Sequence, residues 1–163
     1  MLVAKVTADF TVSRLAENFA EEIEALFRKV WIEDADEYPL NWRKYRALTK
    51  EQILKEMWEG YQYFGIYVNS KLAGMYKTLL TPHGLFGEHQ SVDPAHRRMG
   101  LATAMYNHFI AYARQLDCKH VYVNVLANHV TRLKIIEKMG FHKIGPKFRQ
   151  TKGMRVQIYC KKV

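Results

Sequence analysis

One stretch constrains this chain more than any other: Ser91-Val-Asp-Pro-Ala-His-Arg-Arg-Met-Gly-Leu-Ala-Thr103. Before it, an alternating run from Leu85 to Val92 has the pattern of a strand. The strand must stop short of Pro94, which has no N–H to give to a ladder. After it, Leu101, Met105, Phe109, Ala113 and Leu116 recur at helical spacing. A helix that begins there leaves its first N–H groups unpaired, facing back at the turn with partial positive charge. Gly100 has no Cβ, so a ligand can come close to the backbone. Arg97 and Arg98 add guanidinium groups that pair well with phosphate oxygens. The turn therefore has the make-up of an anion site. A glycine beside basic residues at a helix start also occurs with no ligand, so the turn alone does not name one.

The rest of the chain supplies the frame. Leu2 to Thr7 suggests a first strand, and Leu15, Phe19, Ile23, Leu26, Phe27 and Val30 form an amphipathic helix with Ser13 as its N-cap. Trp31 to Leu48 has no period and reads as a loop or broken helix, mixing Glu33, Asp34, Asp36 and Glu37 with Tyr38, Trp42 and Tyr45. Acidic and aromatic groups together can receive a cationic amine, or can simply be a solvated loop whose rings anchor it. Thr49-Lys-Glu-Gln52 is a capping box opening a helix through Trp58, which Gly60 ends. Tyr61 to Val68, Leu72 to Leu80 and Leu85 to Val92 read as three hairpin strands, turning at Asn69-Ser70-Lys71 and at Thr81 to Gly84. A strand over Cys118 to Leu126, a helix to Lys138 with Gly140 at C′, and strands over Phe141 to Phe148 and Met154 to Lys161 follow, the last pair turning at Lys152-Gly153. The order gives a mixed α/β sheet with helices on both faces, in one domain over residues 1–163.

Composition narrows the function. No apolar run approaches the roughly 18 residues of a membrane span, and the N-terminus lacks a signal-peptide layout, so a cytoplasmic protein is expected. Cys118 and Cys160 have no metal-ligand spacing and the seven histidines form no H-x-x-x-H pair, so neither a metal nor a disulfide is expected. The net charge of +9 suits an acidic cofactor, nucleic acid or an acidic protein, but its residues are spread along the chain without a nucleic-acid motif.

Neither G-x-x-x-x-G-K-[ST] nor G-x-G-x-x-G is present. Arg97-x-x-Gly100-x-Ala102 instead resembles the pyrophosphate motif of the GNAT superfamily of acetyl-CoA-dependent N-acetyltransferases, Gln/Arg-x-x-Gly-x-Gly/Ala after a Val-x-Pro-like step. Val92-Asp93-Pro94 is similar to that step, and Glu137-Lys138-Met139-Gly140-Phe141 resembles the family's Glu-Lys-Leu-Gly-Phe helix ending. The resemblance runs from about Gln62 to the C-terminus, and only in outline before it. It implies a mostly antiparallel central sheet of about seven strands with two central strands splayed. It also implies acetyl-CoA as co-substrate, a small-molecule or peptide amine as acceptor, no metal, and a homodimer as an open expectation.

Under that resemblance Gln90, Ser91 and Val92 contact the pantetheine arm as an added strand does. Backbone N–H groups along Arg98, Met99, Gly100, Leu101, Ala102 and Thr103 hold the pyrophosphate, with Arg97 as a further cofactor-binding residue. A main-chain N–H near Ser91 or Val92 stabilises the oxyanion. The amine attacks directly, and a carboxylate or histidine takes its proton. Glu88 is the first candidate, by its pleat parity with Gln90 and Val92; its other reading is a solvent-facing strand carboxylate. His89 is expected on the opposite face and His83 in a turn. Departures from the family are also legible. Ile136 stands where many members carry an acidic tyrosine, with Tyr106 and Tyr122 as unplaced substitutes. His129 stands at a frequent asparagine, so a slip of one residue gives Asn128 that cofactor contact. Val123 or Asn124 falls where N-terminal acetylating members often have a glutamate. Two other functions stay open: an acyl-CoA-binding module without chemistry, and a basic nucleic-acid binder.

Overall fold

A computed structural model describes residues 10–34, 38–127, 129–151 and 154–163. The expected strand over Leu2 to Thr7, Asn128 and the Lys152-Gly153 turn lie outside the described residues. Strands β1 (Ser13–Leu15), β2 (Gln62–Val68), β3 (Lys71–Thr81), β4 (Gly84–Val92), β5 (His120–Leu126), β6 (His142–Thr151) and β7 (Met154–Lys162) form one seven-stranded sheet in the order β1-β2-β3-β4-β5-β7-β6. Every neighbouring pair is antiparallel except β4 with β5, which run parallel. The helices are α1 (Ala20–Arg28), α2 (Leu40–Arg46), α3 (Lys50–Trp58), α4 (Leu101–Gln115) and α5 (Val130–Lys138). Among the described residues no helix is long and apolar enough to cross a membrane.

Local chemistry explains most boundaries. Asn69 and Ser70 have φ of 49° and 64°, the left-handed pair that a two-residue hairpin needs, and so set Val68 opposite Lys71. The capping box closes as expected: Gln52 N–H donates to Thr49 Oγ1 at 3.3 Å, and Thr49 N–H donates to Gln52 Oε1 at 2.9 Å. Side chains alternate across the sheet, so adjacent residues serve different cores. Phe64 and Tyr76 pack with Leu101, Met105, Phe109 and Ile136 on the α4–α5 face. Tyr63 and Met75 pack with Ile23, Phe27, Trp42 and Ile53 on the α1–α3 face. Cys118 and Cys160 are free, partly buried thiols.

One reading needs correction. Ser13 is no N-cap: it pairs with Gly65 in β1, and the helix starts only at Ala20, after a 3-10 turn at Glu17–Phe19. Leu15 lies in the core beside Gly65, where an added Cβ would come within 2.8 Å of Leu15 Cδ1, so the packed pair overrides the local cap signal. The unpatterned region after α1 is a broken helix, one of the two forms expected for it. It holds a π-helical turn, Lys29–Glu33, and the short α2, whose single buried residue, Trp42, leaves no apolar stripe to read.

Candidate active site

The site begins where the parallel strands part. Leu85 faces Val121, Phe86 faces Tyr122 and Gly87 faces Val123, and no facing pair follows on β4 and β5. Glu88 to Val92 and Asn124 to Leu126 therefore leave one edge each unpaired toward the gap. Asp93 N–H donates to Ala73 O on the β3 side at 2.7 Å, so by alternation Val92 turns its N–H toward the opening.

A bulge re-aims the side chains along this edge. Met75 faces Ser91 but Lys77 faces Glu88, so both His89 and Gln90 lie opposite Tyr76. His89 takes φ of 64°. The extra residue flips the parity: Glu88 shares a face with Ser91, not with Gln90 and Val92, and His89 lies on that same side rather than the opposite one. The contacts agree. Glu88 is 3.5 Å from Lys77 Nζ, and Trp31 Nε1 donates to Ser91 Oγ at 2.8 Å. His89 Nε2 lies 2.5 Å from the Arg46 carbonyl, with the ring packed on Phe27. Gln90 points the other way and donates to Ala102 O at 3.3 Å. Burial lowers the His89 pKa well below the usual imidazole value, and the nearby Arg46 and Lys77 charges lower it further.

On the turn, Asp93 Oδ1 accepts from Ala95 N–H at 2.9 Å and starts a 3-10 turn at Pro94–His96. Arg98 then takes φ of 62° and Gly100 φ of 92° before α4 begins. The first α4 bond runs from Ala104 N–H to Gly100 O at 3.0 Å, so the Leu101, Ala102 and Thr103 N–H groups have no intrahelical partner. A Cβ placed on Gly100 would meet nothing within 4 Å, so the backbone there borders open space. That space is a groove of about 510 Å³ lined by Gln90, Ser91, Val92, Arg97, Arg98, Gly100, Leu101, Ala102 and Thr103, with Trp31, Tyr38, His129 and Arg132 on its other wall. Met99 is the exception among the predicted turn residues: its side chain is exposed and does not line the groove. Arg97 is paired with Asp34 at 2.9 Å, and Lys29 with Asp93 at 2.8 Å.

A second cavity meets the groove at Trp31, Tyr38, His129 and Arg132 and carries Glu88, Arg46, Trp42 and Asn124 on its wall. For Trp31 and Trp42 the chain itself provides a cation. The Arg46 guanidinium sits 4.5 Å from the Trp31 ring and 5.0 Å from the Trp42 ring. Behind Glu88, buried Lys77 lies 2.8 Å from both Glu56 oxygens, and Tyr63 donates to the same carboxylate. Of the unplaced tyrosines, Tyr122 is bonded to Thr81 Oγ1 at 2.6 Å, away from the opening. Tyr106 lines the opening with Gln90, Asn124 and Arg132. Burial raises its pKa, so it stays protonated. Ile136 is fully buried. Among the described residues no cluster of His, Cys, Asp or Glu could hold a metal ion. Sequence reading missed Arg46, Arg132, Lys77 and Trp31; a lysine inside the apolar run Leu72 to Leu80 was the one visible signal.

Comparison with known proteins bears on this geometry. Residues 18–141 match the model of the Acetyltransferase (GNAT) family. No curated protein matches the chain in sequence. Among solved structures, the PaiA N-acetyltransferase of Thermoplasma acidophilum in complex with coenzyme A superposes with a TM-score of 0.75, covering 96% of this chain and 100% of that one at 15% identity. The ribosomal-protein-S18-alanine N-acetyltransferase of Escherichia coli gives 0.72, covering 93% and 90% at 18% identity. A putative acetyltransferase, yncA, of Salmonella typhimurium with its cofactor acetyl-CoA gives 0.71, covering 95% and 94% at 12% identity. At these identities the structural likeness speaks for the fold alone.

Proposed function

The chain belongs to the acetyltransferase (GNAT) family, and on that premise we propose that it moves an acetyl group from acetyl-CoA to a primary amine within a ternary complex. The observation that carries this reading is the parting of β4 from β5 after Gly87 and Val123, beside a helix start whose backbone at Gly100 opens onto a groove. The residues present fit the co-substrate. N–H groups from Arg98 to Thr103 hold the pyrophosphate, and the free edge at Gln90, Ser91 and Val92 bonds the pantetheine amides. Asn128 is the further proposed cofactor contact.

Acetyl-CoA supplies an activated thioester, so no protein nucleophile is required. Val92 N–H points into the opening and polarises the carbonyl as charge develops on its oxygen. Glu88, on the wall of the second cavity, accepts the ammonium proton directly or through one water. Lys77 fixes the Glu88 carboxylate from behind. Tyr106 takes the donor role that Ile136 cannot fill, giving its proton to the departing sulfur. Holding two substrates in line supplies much of the acceleration. Family membership favours neither a binding module without chemistry nor a nucleic-acid binder.

The test is CoA-thiol release from acetyl-CoA over a panel of primary amines, with product masses 42 Da heavier than the amines. Binding of acetyl-CoA without transfer to any amine, at any pH from 6 to 10, would overturn it.

A further inference from the structure

We infer that the acceptor belongs to the amino-acid class, with a carboxylate held by Arg46 and Arg132 next to the amine that Glu88 serves. This rests on the acetyl-transfer reading above and narrows its substrate.

Several cations around the site have a partner, while Arg98 on the groove and Arg46 and Arg132 at the second cavity have no ion pair among the described residues. Lys29 meets Asp93, Lys77 meets Glu56 and Glu88, and Arg97 meets Asp34. Arg46 and Arg132 line the same cavity as Glu88, and neither guanidinium is ion-paired among the described residues. Arg46 Nε is sealed from solvent and has no hydrogen-bond partner among the described residues. Trp31 and Trp42, at nearly right angles to each other, both pack against the guanidinium and hold the planar group in place. Arg132 makes one long bond, 3.4 Å to the Gln90 carbonyl. That carbonyl lies on the edge assigned to pantetheine, so cofactor binding releases the guanidinium to the cavity.

Two guanidinium groups around one cavity repel each other. Burial, then the Arg132 charge, push the Arg46 pKa down to about 10, which leaves it protonated at neutral pH. A desolvated pair of like charges is costly until an anion joins it. A carboxylate answers both, because it accepts two parallel N–H bonds from a guanidinium. A polyamine or a simple amine offers these arginines only repulsion or an apolar stub. The aromatic and acidic loop after α1 thus points away from the purely cationic acceptor that its composition suggests. Trp31 and Trp42 are occupied by Arg46, and Asp34 is bound to Arg97.

The experiment uses the full chain with saturating acetyl-CoA and matched triplets of acceptors: each amino acid, its amide and its decarboxylated amine. The expected result is at least one amino acid whose kcat/KM exceeds that of its amide and amine by about 100-fold or more, as a site with buried polar groups rejects an analogue lacking their partner. Arg46→Met and Arg132→Gln should each shrink that ratio to below about tenfold. Calorimetry should show that Arg46→Met still binds acetyl-CoA. Turnover of amides or amines equal to that of the acids overturns the inference and leaves acetyl transfer standing. A ratio unchanged in both variants also overturns it. No transfer to any member overturns it together with the reading it rests on.

Discussion

Gly87 of β4 faces Val123 of β5, and they are the last residues of the two strands to face each other. The position is built for it. A Cβ on Gly87 would lie 2.8 Å from the Phe109 ring, so α4 seats directly on the sheet at the point where the strands separate. The same helix begins at the Gly100 turn. One glycine thus ties the opening to the turn proposed to bind the pyrophosphate, through the packing of α4.

Gly100 gives the first prediction. Its φ of 92° disfavours any side chain, yet no atom of the described residues lies within 4 Å of where a Cβ would stand. Gly100→Val should therefore cost about 1–3 kcal/mol of stability from backbone strain while filling space proposed for the pyrophosphate. Steady-state kinetics should show the KM for acetyl-CoA rising at least tenfold, with the KM for the amine little changed. An unchanged acetyl-CoA KM would move the pyrophosphate elsewhere.

Glu88→Gln removes the proposed base and keeps the shape. At neutral pH kcat/KM should fall by about 10²–10³-fold, with acetyl-CoA affinity held. The deficit should narrow above pH 9, where more of the amine is already deprotonated. A deficit constant across pH would assign Glu88 to binding rather than proton transfer.

Lys77 is 3% exposed and holds Glu56 and Glu88 together. Lys77→Met leaves two carboxylates without their cation. The loss should be about 2–4 kcal/mol by urea denaturation, below the full cost of breaking a sealed pair because Glu56 keeps some contact with water. The double variant Lys77→Met, Glu56→Gln should recover part of it. Full additivity would show that the contact is not coupled.

His89 sets a pH dependence. Its folded pKa is depressed, so the unfolded chain binds the extra proton first as pH falls. Stability from His89 is present above the ordinary imidazole value of about 6.5 and is lost below it, by up to about 1.4 kcal/mol per pH unit. His89→Gln should flatten the Tm profile between pH 6.5 and 5, measured by calorimetry. An identical slope in the variant would place the acid sensitivity on another group.

Local signals carried much of this fold. Pro94, Gly100 and the Leu101–Phe109 spacing are chemical punctuation readable over a dozen residues, and so are Asn69-Ser70 and the Thr49–Gln52 box. What the sequence hid depends on distant packing. Ser13 looks like a cap until Gly65 makes room for Leu15 beside it. The bulge at His89 has no glycine or proline to announce it, so the strand's parity was readable only up to Glu88. Arg46 and Arg132 come from α2 and α5 to one cavity, a meeting that only the fold decides. Lys77 was the partial exception, since a charge in an apolar strand must find a partner.

The most direct measurement is calorimetric titration of the chain with acetyl-CoA and, separately, with S-acetylpantetheine, which has the thioester arm but no diphosphate. If the turn at Gly100 grips the diphosphate beside the parted strands, acetyl-CoA should bind one per chain and the truncated thioester about 100-fold or more weaker. Equal affinity for the two, or no binding of acetyl-CoA at millimolar concentration, would contradict the account.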